Sequence, residues 1–191
     1  MPPKARVTRE MIVDAAFQLV RAEGQEALNA RAVAQRLGCS TQPVLYAFAA
    51  MDQLRAAVYE RADAFHTAYI LPRDAAGDKA LLQLGLNYVR FGHEEGRLFR
   101  FLFESNQFKG MNLTGLMQGP GMNELVGVLA GGLGCGADEA EKVFLTFFAV
   151  AHGLASLLCH NAMAYDETEC ARMLETVFYG ALASMKGDKH A

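Results

Sequence analysis

The chain has 191 residues, 52% of them hydrophobic, and a formal net charge of −3, which is enough apolar material for one sizeable core or for a small domain attached to a larger one. So slight a charge excludes a strongly basic coat for non-specific nucleic-acid binding, but not a protein that touches DNA with one small face. Cys39, Cys135, Cys159 and Cys170 show no CxxC spacing and no signal peptide precedes them, which points to reduced thiols in a cytoplasmic chain.

Residues 1–7 hold two prolines and two cations without apolar periodicity, the pattern of a mobile arm from which Lys4 and Arg6 can reach phosphates. From Thr8 to Glu23 the pattern is helical. Thr8 is the expected cap, Glu10 sits near the positive helix end, and Ile12, Ala15, Ala16 and Leu19 form the buried stripe. Gly24 is the expected stop.

Asn29 to Phe48 then carries two short helical patterns joined by a Gly-containing turn, the sequence shape of a helix-turn-helix. Val33, Ala34, Leu37, Cys39, Leu45 and Phe48 have the spacing to bury one face of each helix against a shared core. Asn29 is the expected cap of the first helix, with Arg31 exposed in its first turn. Gly38 closes that helix through a positive φ, and Ser40 or Thr41 is placed to cap the next one. Pro43 falls in the first turn, where a missing N–H costs little. Thr41, Gln42, Val44 and Tyr46 are left to face outward. They suit DNA: Gln bonds bidentately to adenine, Thr and Val touch a thymine methyl, and Tyr donates to a phosphate. The expected DNA-binding set is therefore Lys4, Arg6, Asn29, Arg31, Thr41, Gln42, Val44 and Tyr46.

Arg9, Ile12, Ala15, Ala16, Gly24, Leu28, Val33, Ala34, Leu37, Gly38, Ser40, Phe48 and Leu54, in this order and spacing, resemble the amino-terminal signature of TetR-type transcriptional regulators. The resemblance covers the first quarter to third of the chain and is more specific than a lone helix-turn-helix. It departs from the family pattern in two places. A Tyr usual three residues before the closing Phe is Leu45 here, with Tyr46 one step later, and a Lys usual three after it is Met51. Both usual residues contact phosphates in the family, and those contacts are not carried over. The resemblance implies an all-α chain in which residues 1–50 form a three-helix DNA-binding domain and residues 51–191 a larger helical domain for ligand sensing and dimerisation.

Met51 to Thr67 reads as a helix with Leu54, Val58, Ala62 and Phe65 on one side, and in the family this helix joins the two domains. Residues 71–78 are a Pro- and Gly-containing break. Asp78 is the expected cap of a helix running to about Glu95, and the short helical stretch Arg97 to Ser105 follows. Lys109 to Gly121 reads as irregular, Met122 to Ala130 as one short helix, and Gly131 to Gly136 as a glycine-rich loop. Ala137 to Ala164, and Asp166 or Thr168 to Met185, are the last two helices.

Val143 to Leu158 is apolar nearly all round, so it needs two covers. A second copy of the chain is the economical second cover, as in TetR-type proteins, and Leu154, Leu158, Leu174, Phe178 and Leu182 are the expected homodimer contacts. Thr146, His152 and Ser156 interrupt this run, which suits a buried helix better than a membrane span. Aromatic and Met side chains are abundant enough to line an adaptable apolar pocket. Phe103, Phe108, Met117, Phe148 and His152 are the expected ligand contacts. His152 and Cys159 lie two helical turns apart, too far to share a zinc without further ligands. No phosphate loop, GxSxG or acid–base pair appears, so no enzyme, metal or cofactor is expected. The expected function is a ligand-responsive regulator, a repressor released from double-stranded operator DNA by a small apolar or amphipathic effector. The rival is a helical carrier or scaffold that does not bind DNA.

Overall fold

The computed structural model describes residues 7–72, 77–104, 122–161 and 163–187, together with Gly110, Asn112 and Gly115. Among these residues there is no strand, and the helices are α1 Arg9–Glu23, α2 Ala30–Arg36, α3 Gln42–Ala47, α4 Met51–Ile70, α5 Asp78–Glu94, α6 Gly96–Phe103, α7 Met122–Leu133, α8 Ala137–Asn161 and α9 Glu167–Gly187. They form two compact units. One comprises the described parts of Met1–Ala68 and Glu95–Gln107, the other those of Tyr69–Glu94 and Phe108–Ala191.

In the first unit the Met11 N–H donates to Thr8 Oγ1 at 3.3 Å, and Gly24, at φ 94°, ends α1 by donating its N–H to the Val20 carbonyl. Burial falls on Ile12, Ala16, Phe17, Leu19 and Val20. Ala15 is only half-buried. Helix α6 buries Leu98, Phe99, Phe101 and Leu102 in this unit, and the Arg21–Glu95 ion pair ties α1 to its start. As a packing unit the first body therefore extends past residue 50. Along α4 the buried residues are Leu54, Val58, Ala62 and His66. Phe65 is half-buried and meets Phe17 edge-on at 5.6 Å. Burial pushes the His66 imidazole down to about 4, so it is neutral at pH 7.

In the second unit α5, α8 and α9 pack on one another, and α7 lies on α8. Two glycines set the approach of α5 to α8. A Cβ at Gly85 would stand 2.4 Å from the tip of the Phe147 ring, and one at Gly92 would stand 2.7 Å from Ala155 Cβ and 3.0 Å from its carbonyl oxygen. The ring tip has some freedom; the backbone oxygen has none. Gly92→Ala is therefore expected to lower stability by roughly 1–3 kcal/mol, overpacking outweighing the gain in helix propensity. Gly132→Ala in α7 is the control, since nothing lies within 4 Å of its Cβ position, and it should gain about 0.5–1 kcal/mol. Calorimetric melting showing Gly92→Ala as stable as the parent would remove the close approach as a constraint.

Several boundaries differ from expectation, among them the end of α4, at Ile70 rather than Thr67. Helix α7 runs through Gly131 and Gly132 to Leu133 and stops before Gly134, at φ 65°, because Leu129 is buried and holds the last turns in place. Helix α8 stops at Asn161. Asp78 is the first residue of α5 rather than its cap, whereas Asp166 caps α9 by accepting the Glu169 N–H at 3.1 Å.

The expected dimer contacts divide. Leu158, Leu174 and Phe178 are 9%, 1% and 0% exposed, so they belong to the chain's own core and are corrected to that. Phe178 stands edge-on to Phe147 with ring centroids 6.0 Å apart. Leu154 and Leu182 are half-buried. The apolar side chains left outward on these helices are Leu157, Met173 and Tyr179. Helix α8 is long and apolar enough to cross a membrane by length and composition, yet only 28% of its most apolar 18-residue stretch is buried within the chain.

Candidate nucleic-acid interface and effector site

Asn29 starts the helix-turn-helix by accepting the Ala32 N–H at 2.9 Å and donating to the Ala27 carbonyl at 3.0 Å. Its side chain thus has a structural task. At the other end of α2, Gly38 donates to the Gln35 carbonyl and Cys39 to that of Ala34, at 3.1 and 3.0 Å. This is a complete Schellman closure, and it requires the left-handed φ of 64° that Gly38 adopts without strain. The turn fixes where α3 begins. Pro43 lies in the first turn of α3 as expected. Thr41 sits at the cap position but in helical geometry, and its hydroxyl makes no capping bond; the expected side-chain cap is corrected on this point.

The face of α3 also differs from expectation. Val44 is 1% exposed and Phe48 2%, while Leu45 is 57% exposed. Val44 is therefore withdrawn from the outward set and Leu45 from the core. Steps of three and four residues back from Phe48 are both compatible with one helical face, and packing on α2 selects the four-residue step. Gln42, Leu45 and Tyr46, the last 91% exposed, make the outward face, and Thr41 is half-buried at its edge. A groove beside them is bordered by Thr8, the cap of α1, by Arg9 and by Ser40, Gln42 and Tyr46. The Arg9 guanidinium lies 4.2 Å over the Phe48 ring, so the cation borders the groove while stacked on the core. Arg31 and Arg36 are exposed on α2. Lys4 and Arg6 lie outside the described residues.

In the second unit, Phe148 and His152 come together with Tyr88. The Tyr88 hydroxyl lies 2.8 Å from His152 Nδ1, and the Phe148 ring stands edge-on to Tyr88 at 5.6 Å. Burial pushes the Tyr88 phenol far up, so it keeps its proton at every ordinary pH. With its proton on Nε2, His152 accepts from this hydroxyl at Nδ1; with its proton on Nδ1, it donates to it. Phe103 does not join this cluster. It belongs to the first unit, edge-on to His66 at 5.2 Å and tilted against Phe99 at 5.0 Å. Phe108 and Met117 lie outside the described residues. The second unit also holds an apolar cleft of about 200 Å³ between α5 and α7, walled by Leu81, Leu84, Leu125 and Leu129 and closed by Phe178. Its trace in the sequence is the four-residue repeat Leu125, Leu129, Leu133, a second apolar row on a helix that needs only one to pack. Among the described residues no three His, Cys, Asp or Glu side chains converge as metal ligands.

No protein-family model matches the chain, and no curated protein matches it. Solved structures do. A TetR-like transcriptional regulator from Rhodococcus sp. RHA1 superposes with a TM-score of 0.65 at 16% identity, over 96% of this chain and 98% of that one. A tetR-family transcriptional regulator from Streptomyces coelicolor gives 0.69 at 17% identity, over 92% and 82%. The multidrug binding protein EbrR, complexed with imidazole, gives 0.59 at 20% identity over 88% of each chain. At these identities the likeness is one of fold: the chain has the all-α architecture of TetR-type regulators along nearly its whole length.

Proposed function

We propose that the protein is a homodimeric TetR-type transcriptional regulator, a repressor that leaves its operator when a small apolar or amphipathic effector binds. The observation that carries the reading is the outward face of α3. Gln42, Leu45 and Tyr46 project from a helix held by a glycine-closed turn in the first unit, while the second unit holds an apolar cleft. A short helix with one polar reader, one apolar group and one phenol at its tip suits a major groove, where base edges and thymine methyls are displayed. Thr41 at its edge, Asn29 and Arg31 at the start of α2, and Lys4 and Arg6 in the amino-terminal arm complete the proposed contact set. A cytoplasmic setting agrees with four cysteines that form no disulfide.

The test is a gel shift with duplex DNA from upstream of the protein's own gene, competed with scrambled duplex. Retarded, competitor-resistant complexes are expected; their absence across upstream fragments leaves the carrier reading in its place. Arg31 supplies a second expected result. It is exposed in the first turn of α2, where a cation and the helix N–H groups act together on a phosphate. Arg31→Ala should weaken all sequences alike and flatten the salt dependence by about one charge. An unchanged slope in a salt titration rules the contact out.

A further inference from the structure

The cleft between α5 and α7 has walls of unusual uniformity. Helix α7 presents Leu125 and Leu129 on one face, α5 presents Leu81 and Leu84, and Phe178 closes the bottom. Leu81, Leu129 and Phe178 are buried, whereas Val128 at the rim is 73% exposed, so the space opens outward from an apolar floor. Asp78, half-buried in the first turn of α5, is the one ionisable residue among the described residues of the wall. Gly132 lies in the wall as well, and a Cβ there would meet nothing within 4 Å. Neither neighbour fills this space. An engineered apolar cavity of about 150 Å³ takes up benzene, so about 200 Å³ accommodates a six- to eight-carbon group. Helix α7 is itself weakly built, since Gly127, Gly131 and Gly132 each cost roughly 1 kcal/mol in helix propensity relative to alanine. A molecule packed on Leu125 and Leu129 would hold it in place.

We propose that this cleft binds a small aliphatic molecule with a neutral or cationic head group, and that the pairing of a leucine-lined floor with the Asp78 carboxylate rejects carboxylates of the same length. That such a molecule acts as the effector rests on the regulator reading above; that it binds does not. Apolar fit selects size, since each wall residue offers only dispersion and water exclusion. Charge selects the head. A carboxylate entering beside Asp78 meets a like charge that no cation among the described wall residues offsets, whereas an amine meets a partner.

Hexylamine, hexanol and hexanoate have six carbons each, one of hexanoate's lying in its head, so hexanoate loses about fourfold for one CH2 fewer and any larger gap reports the head. Thermal shift and calorimetry on the full chain at pH 7 separate the two selections. At about ten times Kd, hexylamine and hexanol are expected to raise Tm by roughly 3–6 °C, with hexanoate bound at least tenfold more weakly than hexylamine. Gly132→Leu puts a side chain into the empty space without removing one, and should abolish binding of all three while leaving the protein at least as stable. Asp78→Asn should bring hexanoate to within a few-fold of hexylamine. Hydrogen exchange of the α7 amides should slow with hexanol bound and not change in the Gly132→Leu protein. Failure of all three compounds to bind, or full binding to Gly132→Leu, overturns the site; hexanoate binding as well as hexylamine overturns the head-group selection. Hexanol bound as described by a protein that retards no DNA would remove the regulator reading and leave the site in place.

Discussion

Leu157→Glu is expected to convert the protein to a monomer and to weaken operator binding by roughly 100-fold or more, the scale set by losing one of two linked half-site contacts. Leu157 is 49% exposed on α8, so a carboxylate there stays hydrated in the isolated subunit and the fold survives. In the proposed interface the same carboxylate would be buried without a partner, and an unpaired buried charge is among the costliest changes a contact can suffer. The motive is the incomplete cover of α8, together with Met173 and Tyr179 outward on α9. Sedimentation should show a dimer for the parent and a monomer for the variant, with superimposable helical spectra. A parent monomeric at micromolar concentration, or a variant still dimeric, would overturn the arrangement while leaving the helix-turn-helix untouched.

How much of this could be read from the sequence depended on how local the determining interaction is. Thr8, Gly24, Asn29 and Gly38 act on backbone groups within five residues of themselves, so chemistry and spacing were enough to place them. The face of α3 was less legible. A six-residue helix has too few turns to fix its phase, and Val44 and Leu45 are equally apolar; only packing on α2 separates them. Helices α8 and α9 carry more apolar residues than one interface needs, and nothing in their order says which row meets the chain's own core. That is why Leu158, Leu174 and Phe178 stood among the expected dimer contacts while Leu157 did not. Gly85 and Gly92 gave no signal either, because their meaning lies in Phe147 and Ala155, more than sixty residues away. The cleft between α5 and α7 is legible only after both helices are placed, being the space that two leucine rows leave between them.

Gln42→Ala is expected to weaken specific DNA binding by roughly 1–3 kcal/mol and to leave binding to scrambled duplex nearly unchanged, the signature of a lost base contact. Gln42 is exposed at the first position of α3, where recognition helices point at base edges, and Leu45 and Tyr46 lie on the same outward face. Leu45 sharpens the test. With Val44 buried, Leu45 is the apolar group on the outward face of α3, and apolar groups in a major groove read the thymine C5-methyl. Replacing operator thymines one at a time by uracil removes that methyl and no hydrogen-bonding group. One such replacement should weaken the parent protein and leave Leu45→Ala unaffected, while Gln42→Ala still responds to it. Two substitutions on one short helix would then report two different features of the same half-site. Equal losses on specific and scrambled duplexes for Gln42→Ala, or uracil operators bound by the parent as tightly as thymine ones, would take the reading role away from this face and leave α3 a positioning element.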